Sequence, residues 1–421
     1  MGFDSALRFI TTIAARALSH GALPSQGMLG VEFQEGGGSS HTLRRKYRFL
    51  AQSWTFTIGL EIRKLRLWDE EDARRVLSVA TAVIPINGEA FAMTRQALIT
   101  LTFALAIGLG ISSAFSQTPP NSTQLQPAPD IPGVIKGGTM PQVVIKGLTS
   151  ADDAFWLPNV GVIFSEPRAN RIVRLDEHDQ PVTFVGNLHG PLGMAFDAKN
   201  GLLISLQTEP GFTGPRVVWP AGKEAIVADN YQGKPFGRPN DIVADRNGGV
   251  YFTDIPPDRN VIPAAVYYVP PGGAAIRVAE GITTPNGLQL SHDEKTLYVN
   301  DTAGINIYAL DVQPDGRLAN RRVFATYVGR DQTLPPGAPP RSNADGLVTD
   351  DDGRLYALTE SGIEVLSPTG QHLSVIPLWC ITRRCQNLGF GGPDKRTLYV
   401  AGGGTLLRIP MLTRGFQGRA K

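Results

Sequence analysis

The chain has 421 residues, and its 40 Lys+Arg against 38 Asp+Glu leave a formal net charge of +2, which gives no reason to expect nucleic acid or an anionic surface as partner. Charged residues at 19%, beside 47 Gly and 32 Pro, argue against a coiled coil or helical bundle and for many short elements joined by turns. Two cysteines, Cys380 and Cys385, are too few for a disulfide scaffold and lack the partners of a four-ligand zinc site.

Residues 1–92 offer little to build on: Gly36-Gly37-Gly38 with flanking Ser, a basic cluster at Arg44-Arg45-Lys46, no sustained strand alternation, and one helix expected over Asp69–Ala82. From Met93 the chain reads MTRQALITLTFALAIGLGISSAFSQTPP. Arg95 supplies a charged start, Ala97–Ile111 an apolar run, and Ala114 and Ser116 the small residues of a secretory cleavage site. Such a signal works at a nascent N-terminus. Met93 is therefore read as the true start, 93–116 as a signal peptide, 1–92 as a non-native or disordered extension, and the protein as periplasmic or secreted. The alternative, a signal anchor over 97–115, suffers from its Thr, Ser and Gly content, which is marginal for spanning a bilayer. Residues 117–135 are Pro-rich and polar, which predicts a solvated linker ahead of a folded segment over 136–415.

Within that segment a single unit recurs six times, a turn followed by a short β-branched or aromatic strand: LPNVGVIFSE, FDAKNGLLIS, ADRNGGVYFTD, SHDEKTLYVND, TDDDGRLYALTE and GPDKRTLYVAGG. The first apolar residues of these strands, Val162, Leu202, Val250, Leu297, Leu355 and Leu398, are spaced by 40, 48, 47, 58 and 43 residues. That is the range of four-stranded propeller blades. Further short strands fall between the copies, and no amphipathic helix appears. The expected fold is all-β, a single six-bladed β-propeller.

About ten residues before each anchor stand Asp152, Leu192, Asn240, Asn286, Asp345 and Asn387. Equivalent positions in a propeller point the same way relative to the axis, so these six converge on the mouth of the central channel. Five carry side-chain oxygens. Carboxylates and amides without sulfur or imidazole are hard ligands that suit Ca²⁺ first, with Mg²⁺ or Mn²⁺ next and Zn²⁺ as a further alternative. The competing explanation is that Asn and Asp merely cap turns at these places. The six histidines form no rival site, and no G-x-S-x-G elbow is present.

GRPNDIVADRNGGVYFTD, TPNGLQLSHDEKTLYVNDT with IYALDVQPDGRLANRRVF, and NADGLVTDDDGRLYAL with NLGFGGPDKRTLYV resemble the regucalcin/gluconolactonase (senescence marker protein) family over about 145–410. The resemblance implies a six-bladed propeller with one catalytic divalent cation in its channel, and hydrolysis of a lactone such as that of a sugar acid. It implies Asn286, Asp345 and the first-copy acid as metal ligands, Asn240 as a contact to metal or substrate, and Arg238 as a substrate-binding residue. The chain departs from the family at three places. Asp152, four residues before Trp156, stands where the family has Glu, with Asp153 as an adjacent alternative; Leu192 is apolar; and no His follows the second strand. In the implied chemistry water attacks a cation-polarised carbonyl, and Asp345 doubles as the base that takes the proton. Two other readings stay open: a propeller that binds a ligand or protein without turnover, and a related metal-dependent esterase or phosphotriesterase-like hydrolase. Cys380 and Cys385, just before Asn387, close a small disulfide loop if the protein is exported and stay free thiols otherwise. Oligomeric state is not legible.

Overall fold

A computed structural model describes residues 125–419 other than 261, 379 and 381–384, together with five strand backbones nearer the start. Two compact units divide the chain, Met1–Gln117 and Thr118–Lys421. In the first, Gly30–Glu35, Thr42–Ala51 and Trp54–Arg63 form one antiparallel sheet, and Val83–Ile86 pairs with Glu89–Ala92. The expected lack of strand alternation is thus corrected. Trp54, Phe56, Ile58, Leu60 and Ile62 recur with period two, the strand period. The helix expected over Asp69–Ala82 and the leader from Met93 lie outside the described residues.

In the second unit six four-stranded antiparallel sheets follow one another. Their first strands are Ala154–Leu157, Pro191–Asp197, Pro239–Ala244, Pro285–Leu290, Leu347–Thr349 and Asn387–Gly391, one for each of blades 1 to 6. The first five blades run in simple chain order. Blade 6 takes its fourth strand from the other end of the unit, where Gln142–Lys146 pairs antiparallel with Thr405–Pro410.

Six apolar clusters fill the spaces between neighbouring sheets. Blade 3 shows how one strand serves two of them. Tyr251, Val266 and Tyr268 pack toward Leu288, Leu297 and Val299 of blade 4. Their neighbours Val250, Phe252 and Tyr267 pack toward Ile204, Leu206 and Val217 of blade 2. Alternate residues point to opposite faces and both faces are covered, so the strands read as the continuous apolar runs seen in the repeats.

The Pro-rich stretch is corrected as well. Ile131 and Ile135 form a bridge, and Ala128, Ile131, Val134 and Ile135 are buried against blades 5 and 6. The apolar residues of PDIPGVI lie close enough to bury together, which a reading by composition overlooks. At the other end the chain runs past residue 415 over the turns that join first to second strands. Phe416 stacks on His292 of blade 4 with ring centroids 3.8 Å apart, and Lys395 of blade 6 donates to the carbonyls of Phe416 and Arg419. Burial, reinforced by the neighbouring Arg419, pushes the Lys395 ammonium down to about 8. The buried Arg419 guanidinium donates to Gln289 Oε1 (2.7 Å), Leu290 O (3.0 Å), Ser291 O and Glu294 Oε1 (both 3.2 Å). Arg419→Ala strands buried acceptors and is expected to cost about 2 kcal/mol. It should read out as a urea midpoint lowered by roughly 0.5–1 M at unchanged slope.

Candidate functional site at the propeller axis

The loops that enter the first strands of blades 1 to 4 carry backbone amides that no sheet ladder satisfies, and the fold meets them with one repeated device. The last residue of the second strand reaches back to them. Glu166 accepts from Thr149 N and Oγ1 at 2.9 Å, and Gln207 from His189 N at 2.6 Å. Asp254 accepts from Gly237 N (2.9 Å) and Arg238 N (2.6 Å), Asp301 from Thr284 N (2.9 Å). Burial raises the Asp254 pKa, and those amide donors oppose the rise. These braces were missed from sequence, although four of the repeat copies visibly end in an acid, three of them at the braces Glu166, Asp254 and Asp301.

The four predicted ligands stand at the entrances of four first strands, and neighbouring strands are joined by contacts that travel around the axis. Between blades 1 and 2, Asp153 Oδ2 accepts from Met194 N at 2.6 Å. Between blades 2 and 3, Gly193 lies against the Asn240 carbonyl, where a Cβ would come within 2.7 Å. Thr253 Oγ1 of blade 3 donates to Asn286 O of blade 4 at 2.9 Å, and Asp241 Oδ2 accepts from Leu288 N at 3.3 Å. Asn286 Nδ2 donates to Thr302 Oγ1 (3.0 Å), which itself donates to Ala344 O, while Asn300 Nδ2 donates to Asp345 O (both 2.5 Å). From blade 5 to 6, Gly346 N donates to Gln386 O at 2.8 Å. Gln386 Nε2 closes the circuit on Asp152 Oδ2 of blade 1 at 3.1 Å.

The two acids of blade 1 therefore differ in place. Asp153 is fully buried and committed to blade 2, the same use that Asp241 has toward blade 4. Asp152 stands at the entrance with 8% of its surface exposed. Asn286 is buried, while Asn240 and Asp345 are half-buried. Leu192 is buried and leaves blade 2 without a polar group at this level.

Blade 6 departs from the sequence register. Asp152 N donates to Ser165 O (3.0 Å), Asp345 N to Leu358 O (2.9 Å) and Gln386 N to Ala401 O (2.8 Å). Each acceptor is the third residue after its blade's anchor, so Gln386 is the counterpart of Asp152 and Asp345. Asn387 is instead the counterpart of Asp241. It is buried beside Gly346, and its Oδ1 accepts from Leu388 N (2.9 Å) as Asp241 Oδ1 does from Ile242 N. The shift comes from the hairpin: Val162 pairs with Trp156 and Leu355 with Thr349, but Leu398 pairs with Phe390, two residues further back.

Arg238 is exposed on the loop that leads to Asn240, its backbone fixed by Asp254. The wide spacing between the fourth and fifth copies is taken up by the loop leading to Asp345, which is tied by Arg341 Nη2 to Asp331 at 2.7 Å. Burial works to raise the Asp331 pKa, but hydrogen bonds from Thr333, Arg341 and Asn343 outweigh it and hold the carboxyl well below the usual carboxylate range. His189 stacks on Phe212 with centroids 3.4 Å apart and meets Glu209 through Nδ1 at 3.3 Å. Cys380 and Cys385 are joined as a disulfide with Cα atoms 5.0 Å apart. Arg383 and Arg384 between them lie outside the described residues. Among the described residues no three His, Cys, Asp or Glu side chains gather as a metal-holding group; the axial set has two carboxylates and amides.

Comparison with known proteins places this architecture. Residues 154–403 match the family model described as SMP-30/Gluconolactonase/LRE-like region. The gluconolactonase of Zymomonas mobilis is 27% identical over 324 residues, covering 68% of this chain and 86% of that protein. A solved gluconolactonase from Xanthomonas campestris superposes with a TM-score of 0.55 at 26% identity, over 68% of this chain and 97% of that one. A calcium-binding protein, regucalcin, from Agrobacterium tumefaciens shares the fold, with a TM-score of 0.52 at 16% identity over 66% of this chain and 95% of that one.

Proposed function

The chain belongs to the SMP-30/Gluconolactonase/LRE-like family, and from that premise we propose that it is a lactone hydrolase whose site is the axial ring of Asp152, Asn240, Asn286 and Asp345. The circuit of contacts through the blade entrances supports this, because it keeps residues far apart in sequence around one axis.

The donor set fits a hard divalent cation, Ca²⁺ before Mg²⁺, Mn²⁺ or Zn²⁺. Two carboxylates and two amide carbonyls offer oxygen only, and Asn286 has its nitrogen committed to Thr302, which makes Oδ1 the atom suited to a cation. Asp152, partly exposed at the entrance where Asp153 is fully buried and accepts from Met194 N, is taken as the first-blade ligand. When bound, such a cation supplies positive charge that stabilises the oxygen of a carbonyl under attack. Asp345 holds the attacking water and takes its proton, its backbone fixed by Leu358 and Asn300. Arg238, exposed at the rim, binds the hydroxyls or carboxylate of the substrate.

A pH-stat assay over a panel of sugar lactones tests the proposal. Acid release faster than spontaneous opening is expected with Ca²⁺ and is expected to disappear with chelator. Retained cation binding without accelerated release from any lactone would instead identify a propeller that binds without turnover.

A further inference from the structure

We propose that Gln386 is the positioning residue that fixes the Asp152 carboxylate toward the axis. The inference rests on the reading of the ring as a cation site and adds to it a residue from the sixth blade. Three observations converge on Gln386. Its backbone N bonds at the same step of its blade as those of Asp152 and Asp345, so its side chain starts from the same level. Its side-chain Nε2 donates to Asp152 Oδ2 at 3.1 Å. Its carbonyl accepts from Gly346 N, the residue after Asp345, at 2.8 Å. One residue thus touches Asp152 on one side and the backbone next to Asp345 on the other.

The chemistry follows from side-chain length. An Asp is one methylene shorter than a Glu and has less reach from the same backbone position. Its direction therefore matters more, and a donor on one carboxylate oxygen sets the orientation of the other. Asp153 N already bonds Asp152 Oδ1 at 2.9 Å, so local backbone and Gln386 together hold both oxygens. The support behind Gln386 is covalent: the Cys380–Cys385 disulfide ends at the preceding residue. The Cys385 backbone also packs against Gly402, where a Cβ would come within 2.8 Å of Cys385 Cα.

Calorimetric titration with CaCl₂ alone, on the full chain, tests this. Gln386→Ala keeps both backbone hydrogen bonds, so its cation-free melting temperature should match that of the unsubstituted protein. Its Ca²⁺ dissociation constant should rise by about 10- to 100-fold, the usual effect of removing a hydrogen-bond partner from a metal ligand. Gln386→Glu removes the donor and sets a second carboxylate against Asp152, so it should also bind more weakly. Tighter binding by Gln386→Glu would make Gln386 a ligand position and overturn the positioning role. An unchanged dissociation constant for Gln386→Ala, beside normal binding by the unsubstituted protein, overturns this inference alone. Failure of the unsubstituted protein to bind Ca²⁺ removes the cation site, and with it this role.

Discussion

Asp345→Asn is expected to lower kcat/KM for lactone opening by about 10³-fold without changing the melting temperature of the cation-free protein. The side chains have nearly the same shape, and two contacts that fix this residue are main-chain: its N donates to Leu358 O, and its carbonyl accepts from Asn300. Neither depends on the carboxylate. What disappears is one negative charge among the ligands and the group that takes the proton from water. Loss of a positioned proton acceptor costs about 10²–10⁴ in rate, and a weakened axial charge pushes the same way. Initial rates at saturating Ca²⁺, with melting curves in chelator, make the check. Activity within tenfold of the unsubstituted protein would remove Asp345 from the chemistry.

Gly287→Ala should lower activity by about 10²-fold from outside the ligand set. A Cβ at this position would sit 2.1 Å from Asp345 O and 3.0 Å from its carbonyl carbon, both backbone atoms of the adjacent blade. Neither can swing aside as a flexible side chain would, so the entrances of blades 4 and 5 must move apart. Overpacking of that kind costs about 1–3 kcal/mol, occasionally more. A shift of about 1 Å at the catalytic residue is enough for a 10²-fold loss in rate. The substitution should therefore lower both the urea midpoint and kcat/KM. Normal values of both would contradict a blade contact this close. Gly346, where a Cβ would lie 2.6 Å from Asn387 Cα, should behave alike.

The repeat pattern made the propeller legible because every blade is buried on both faces. The runs VYF and LYV in these strands therefore stay apolar at successive positions and align by eye. The axial positions were legible only while hairpin length stayed constant. Counting back from Leu355 lands on Asp345, but the longer turn before Leu398 carries the count to Asn387, one residue beyond Gln386. The braces escaped for a different reason. Glu166, Gln207, Asp254 and Asp301 act on backbone amides, and a carboxylate that satisfies a loop looks in sequence like any other strand-terminal polar residue. Asn300, which bonds the Asp345 carbonyl and accepts from the Tyr327 hydroxyl, was hidden in the same way. Its only mark is an amide inside an apolar strand.

Pairing of Gln142–Lys146 with Thr405–Pro410 has a consequence for biosynthesis. The earliest propeller strand to leave the ribosome must wait, without its neighbour, until almost the entire polypeptide has been made. Such non-local pairing slows folding, and in the interval it leaves unpaired backbone open to association with other nascent chains. A polypeptide terminated before Thr405 would own every axial residue and still be unable to shut its circle.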